Sequence, residues 1–217
     1  MHTSQPDAFL RVRTKPNLVL SVVSILIVLC LIPVVQVIGE WNASLPLPDV
    51  LRDFEASQLE LMERVLSSSQ GMGVNLVLLA LTPALFEELM FRGYFQRQTE
   101  RATGPAWGVF LSGFIFGAYH MRVSQVVALA LLGCFLAYVV WRTRSVWTGM
   151  IVHFAYNGSL VVLAGVADDP ASVLDLPGYA FWLGLVGAAG LIFWLHHVTA
   201  LTSETFEEVE PRTLAPH

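Results

Sequence analysis

Two adjacent carboxylates, Glu87 and Glu88, end a long apolar run, where an ionised side chain is costly and by default marks function. Arg92 stands four residues after Glu88, so on a helix the two share a face and can pair. Glu87 points about 100° away and has no partner on that helix. One carboxylate is therefore a structural candidate and the other is free to move a proton. Further along, His120 follows Phe116 by four residues, and His153 precedes Asn157 by one turn on the same face. An imidazole and an amide side by side can both donate toward one point, as stabilising an oxyanion requires.

Each of these residues also has an ordinary explanation. Glu87 and Glu88 could lie at a membrane interface, His120 could be a packed histidine, and His153 with Asn157 could be interhelical glue. Arg92, Arg97 and Arg101 read as a solvated basic face. Taken together, two carboxylates, two histidines and an asparagine on three successive apolar segments are hard to ascribe to chance.

The surrounding elements follow from composition. The chain has 217 residues, 55% hydrophobic and 13% charged, against about 25% charged in a soluble domain. Mean hydropathy is +0.62, so lipid is the main solvent. A net charge of −5 argues against nucleic acid as a partner. Cys30 and Cys134 lie inside apolar runs and read as packing residues. A spanning helix needs about 20 apolar residues. Six stretches qualify: Pro16–Gly39, Val65–Phe86, Ala102–Met121, Val123–Trp141, Ser145–Ala167 and Leu176–Leu195. The first is too long for a signal-peptide core and reads as a retained helix. The expected fold is an all-α membrane protein of about six transmembrane helices, an irregular bundle around a polar cavity. It reads as one transmembrane domain over 1–217, with a catalytic core at about 71–166. Residues 40–64 form an extracytoplasmic loop with a surface helix from Asp49, and 198–217 a cytoplasmic tail.

With the N-terminus inside, nine Lys and Arg fall on the cytoplasmic side and three outside, and the outer loop at Asp168 and Asp169 has none. Both termini are thus expected in the cytoplasm, in what reads as a bacterial inner (plasma) membrane. Trp107, Trp141, Trp147, Trp182 and Trp194 fall near span ends as an aromatic belt. His196 and His197 carry no expected chemistry. Asn42-Ala43-Ser44 matches a glycosylation acceptor, a pattern common by chance.

Thr103-Gly104-Pro105 is a strong turn signal. Glu87 lies 17 residues before Gly104 and His120 lies 16 after it. In an antiparallel hairpin with unbroken arms the two reach nearly the same depth, which requires the helix of Glu87 to continue to about Arg101. His153 fits less well: it is only about 12 Å beyond Ser145, so a tilted or partly unwound helix, near Gly133, is expected.

The pattern resembles a family of intramembrane proteases that includes CAAX prenyl endopeptidases and bacteriocin-processing enzymes. The first motif is Glu87-Glu88-Leu89-Met90-Phe91-Arg92, the second Phe116-Gly117-Ala118-Tyr119-His120, the third His153-Phe154-Ala155-Tyr156-Asn157. The approach to the third, Arg144-Ser145-Val146-Trp147 and then Met150-Ile151-Val152, is also similar. Each motif alone is weak; three in order are specific, and they cover about Pro83 to Asn157. The resemblance implies antiparallel helices around a cavity open to the cytoplasm. It implies hydrolysis of a peptide bond near the C-terminus, or in the leader, of a membrane-associated polypeptide. Carried over by position, Glu87 is the general base, His120 holds the water, and His153 and Asn157 stabilise the oxyanion. Glu88, Arg92 and Phe116 support them. No cofactor is expected; the alternative is zinc held by Glu87, His120 and His153, although no His-Glu-x-x-His helix occurs. The competing function is a non-catalytic scaffold or immunity protein of the same fold. A proton-coupled transporter is a third class, disfavoured because no inverted repeat is evident.

Overall fold

The computed structural model describes residues 6–66, 71–166 and 176–207, with side chains up to 199. The loop at Asp168 and Asp169 and the tail beyond 207 lie outside the described residues.

A single turn, α1 (Pro6–Phe9), precedes a strap that leads into α2 (Leu18–Ala43). Asn17 starts α2 by accepting the Leu20 amide, at 3.1 Å, on its side-chain oxygen. The amphipathic helix α3 (Asp49–Leu66) follows. Then comes α4 (Met72–Thr103), which carries the paired carboxylates in mid-helix. It runs through to the turn, as equal hairpin arms require. Its backbone is irregular, with π-helical stretches at Val77–Leu81 and Leu89–Phe95 on either side of Thr82–Glu88. Gly104 makes the turn at φ 88°, a left-handed conformation that suits glycine. Pro105 opens α5 (Pro105–Tyr119). Then α6 (Val123–Thr143), α7 (Val146–Val166) and α8 (Tyr179–Glu207) complete the bundle.

Among the described residues, five helices are long and apolar enough to cross a membrane. The third expected span is the exception. Its helix, α5, has 15 residues, about 22 Å at 1.5 Å per residue. The Gly104 turn and the left-handed Met121, φ 51°, cut it at both ends. At the C-terminus, helix α8 runs to Glu207, so the expected tail at 198–217 is helical in its first part.

The core lies between α2, α6, α7 and α8, around Ile27, Val28, Leu136, Val139, Val152 and Leu195. The outer surface is apolar: Leu18, Phe86 and Val186 are each about two-thirds exposed or more, as lipid-facing residues are. Lipid supplies no hydrophobic drive between helices, so small residues must let backbones approach closely. Gly113 and Gly117 on α5 do this against α6. A Cβ on Gly113 would lie 2.4 Å from the Cys134 amide nitrogen, and one on Gly117 2.7 Å from that of Ala130. Cys30 and Cys134 are free thiols.

At one end of the bundle Asn42 is 4% exposed. Its amide donates to the Val123 carbonyl and its oxygen accepts the Val127 N–H, both at 3.0 Å. The acceptor-like motif at Asn42 is thus a buried bracket between α2 and α6. Glu55 docks α3 at the same end by accepting from the Ser124 hydroxyl and amide. Burial raises the Glu55 carboxyl, but these hydrogen bonds outweigh it and hold the group below its ordinary value.

A candidate active site around Phe116

Three helices supply the site: α4 with Glu87, Glu88 and Arg92, α5 with Phe116 and His120, and α7 with His153 and Asn157. The two carboxylates have different surroundings. Glu88 has no exposed surface. Its Oε1 lies 3.0 Å from Arg92 Nη1 and 3.0 Å from His153 Nδ1. Its other oxygen rests against Gly149, where a Cβ would come within 2.8 Å. Glu87 is 20% exposed, and its Oε2 has no hydrogen-bond partner among the described residues.

Arg92 is fully buried, so the reading of Arg92, Arg97 and Arg101 as one solvated face fails at Arg92. Its guanidinium lies 4.3 Å from the Phe116 ring centroid and donates to the Gly133 carbonyl at 3.0 Å. Phe116 is the hub of the site. The His120 ring is 4.8 Å from it, the His153 ring 5.8 Å and the Phe91 ring 5.3 Å.

His153 is 2% exposed. With its Nδ1 proton donated to Glu88, Nε2 carries a lone pair, which accepts from Asn157 Nδ2 at 3.2 Å. The same Nδ2 reaches the Leu79 carbonyl at 3.3 Å. That carbonyl lies in the first π-helical stretch, where the i→i−4 pattern is interrupted. Nε2 faces Glu87 Oε2 across 4.0 Å, too far for a direct hydrogen bond.

His120 stands apart. Its Nδ1 bonds the Phe116 carbonyl, one turn back, at 2.8 Å. No hydrogen bond joins it to Glu87, His153 or Asn157 among the described residues, and Phe116 is its link to them. In the hairpin, Phe91 packs on both Phe116 and Tyr119 with centroids 5.3 Å apart, and Ser112 Oγ donates to the Phe91 carbonyl at 3.3 Å.

The expected unwinding near Gly133 does not occur: α6 is helical throughout. The irregular backbone that reconciles Glu88 with His153 lies in α4. Among the described residues, no three His, Cys, Asp or Glu side chains are gathered to hold a metal ion.

Sequence reasoning missed Gly149, which makes room for the Glu88 carboxylate. It also missed the bond from Glu88 to His153. Gly149 stands four residues before His153, a spacing visible in the sequence but uninformative until Glu88 is known to lie opposite.

Buried acid, imidazole and amide groups meeting within a bundle of apolar helices define an integral membrane protein with a polar centre of enzyme type. Residues 69–159 match the family described as type II CAAX prenyl endopeptidase, Rce1-like. The match covers all three motifs and supports a CAAX-type intramembrane endopeptidase in general. No curated protein and no solved structure matches the chain.

Proposed function

We propose that the protein is an intramembrane endopeptidase that uses Glu87 to activate water. The substrate is a membrane-associated polypeptide, cut near its C-terminus or in its leader. One observation carries this reading: of two adjacent carboxylates, Glu88 is fully buried and tied through Oε1 to Arg92 and His153, whereas Glu87 is partly exposed and its Oε2 faces His153 with no hydrogen-bond partner among the described residues.

In this mechanism Glu87 takes a proton from water, held from the other side by His120, as oxygen attacks the scissile carbonyl carbon. The carbonyl π pair moves onto oxygen. Asn157 Nδ2 exchanges its bond to His153 for one to this oxyanion. His153, oriented by the Glu88 contact at Nδ1, turns its Nε2 edge to the same place beside Asn157 and supports the oxyanion with it. Glu87 then passes its proton to the leaving nitrogen, the C–N bond breaks, and an acid and an amine leave. The basic end of the bundle, with Arg97, Arg101, Arg142 and Arg144, faces the cytoplasm.

Glu87→Gln tests the assignment. The amide keeps the shape and cannot accept the proton, so cleavage of a membrane-anchored reporter should fall at least about 100-fold while the protein still inserts and folds. Turnover near wild type in purified Glu87→Gln would remove Glu87 from the mechanism.

A further inference from the structure

Glu88, Arg92, Gln96 and Glu100 recur every four residues along α4. The first three have no exposed surface, and the Glu100 side chain keeps 6%. In an uninterrupted α-helix, Glu100 would face about 120° away from Glu88. The π-helical stretch Leu89–Phe95 lies between them, and one inserted residue turns the downstream face back by about 100°. The irregular backbone thus keeps a polar stripe on one buried face. Arg92 donates to the Gly133 carbonyl and Gln96 to the Ala137 carbonyl, each at 3.0 Å, which locks α4 to successive turns of α6.

The far end of the stripe meets the strap. Glu100 accepts two bonds from Arg11, at 3.1 and 2.8 Å, one from Arg97 at 2.6 Å and one from Gln96 at 2.8 Å. Arg11 is 4% exposed and left-handed, φ 57°, which is uncommon for a residue with a side chain. Burial pulls its guanidinium down to about 10, against the attraction of Glu100, and leaves it charged at neutral pH. The Arg11 carbonyl accepts the N–H of Val146, the first residue of α7, at 3.2 Å. Ser145 Oγ donates to the Thr14 carbonyl at 2.6 Å and Trp147 Nε1 to that of Val12 at 2.8 Å. On the α4 side, Arg97 Nε donates to the Phe9 carbonyl at 3.2 Å. One short segment therefore bonds both to the end of α4 and to the start of α7, the helices that carry the carboxylates and the His153–Asn157 pair.

We propose that residues 6–17 are a clasp that sets α7 against α4, with Arg11 a positioning residue for the Glu88–His153 contact. The idea rests on the peptidase reading for its activity assay. The test uses the full chain in lipid nanodiscs, with kcat, KM, the pH profile and thermal unfolding measured for Arg11→Ala and Glu100→Gln beside Glu87→Gln. Each clasp variant should lose about tenfold or more in kcat with KM nearly unchanged, as expected for a misplaced group. Each should also shift the pH profile, because His153 is no longer held on Glu88, and the double variant should be no worse than the poorer single. Unchanged kcat and pH profile in folded variants, even with lower thermal stability, would overturn the clasp as a positioning device. If Arg11→Ala does not fold, Arg11→Lys, which keeps the charge but not the fork, takes its place with the same criteria. If wild type shows no cleavage, the peptidase reading falls, and hydrogen exchange over 146–153 then decides the clasp. Faster exchange in Glu100→Gln supports it, and unchanged exchange rejects it.

Discussion

Gly149→Ala sets two known effects against each other at one atom. In an exposed helix the added methyl would stabilise by about 1 kcal/mol, because glycine has more backbone freedom to lose. Here the new Cβ would lie 2.6 Å from Val140 Cγ2 and 2.8 Å from Glu88 Oε2. Neither neighbour can yield freely. Val140 is β-branched and fully buried, and the Glu88 carboxylate is tied at 3.0 Å to both Arg92 and His153. Overpacking of this kind costs about 1–3 kcal/mol, so the net effect is a loss of up to about 2 kcal/mol. Function should suffer more than stability. Relieving the clash moves the carboxylate by roughly half an ångström or more, and a misplacement of about 1 Å costs about 100-fold. The assay is kcat together with thermal unfolding, with Gly158→Ala as control. That residue lies on the same helix, and its Cβ would meet Leu76 at an ordinary 3.7 Å. Expected are a lower midpoint and a fall in kcat of at least about tenfold for Gly149→Ala, with the control near wild type. A raised midpoint with full activity in Gly149→Ala would refute the claim that this glycine exists to admit Glu88.

Glu88→Gln should cost about 3–5 kcal/mol, since it leaves the buried Arg92 without its counter-charge; it should lower activity too, through His153. Equal thermal stability in detergent would count against the pair. EDTA or phenanthroline should leave metal-depleted enzyme active, whereas loss of activity restored stoichiometrically by zinc would replace the glutamate mechanism with a metal one. Cysteines placed at Glu87 and His120 in a cysteine-free background should be joined by a short bifunctional reagent, and a cysteine at Gly104 should label from the cytoplasmic face alone; labelling from outside would invert the topology.

The features legible in the sequence are those set by local pattern. Apolar runs give the spanning helices, and Gly104 and Pro105 give the turn between α4 and α5. The pairing of Glu88 with Arg92 follows from a four-residue step on one helix. What was not legible depends on crossing geometry. No periodicity shows that Gly113 and Gly117 bring α5 close to α6, or that His153 on α7 reaches Glu88 on α4. The π-helical stretch Leu89–Phe95 was also invisible, because it has no proline and an ordinary helical composition apart from Gly93. Burial was not legible at Arg11 and Arg92, each of which packs against a glutamate from α4.

The different fates of Glu87 and Glu88 account for much of the site. Glu88 is held in mid-span by Arg92 on its own helix and His153 on α7. Fixing the His153 Nδ1 proton has a second consequence, because the opposite nitrogen must then point toward Asn157 and Glu87. One buried carboxylate thereby orients the imidazole, and its neighbour, turned about 100° around the helix, meets the other edge of the same ring. Adjacent glutamates reach both edges because α7 passes across α4 at Gly149 with no side chain in the way. An aspartate at 88 would be one methylene short of both Arg92 and His153. Glu88→Asp should therefore behave as a loss of positioning, with kcat reduced and insertion intact, rather than as a conservative change.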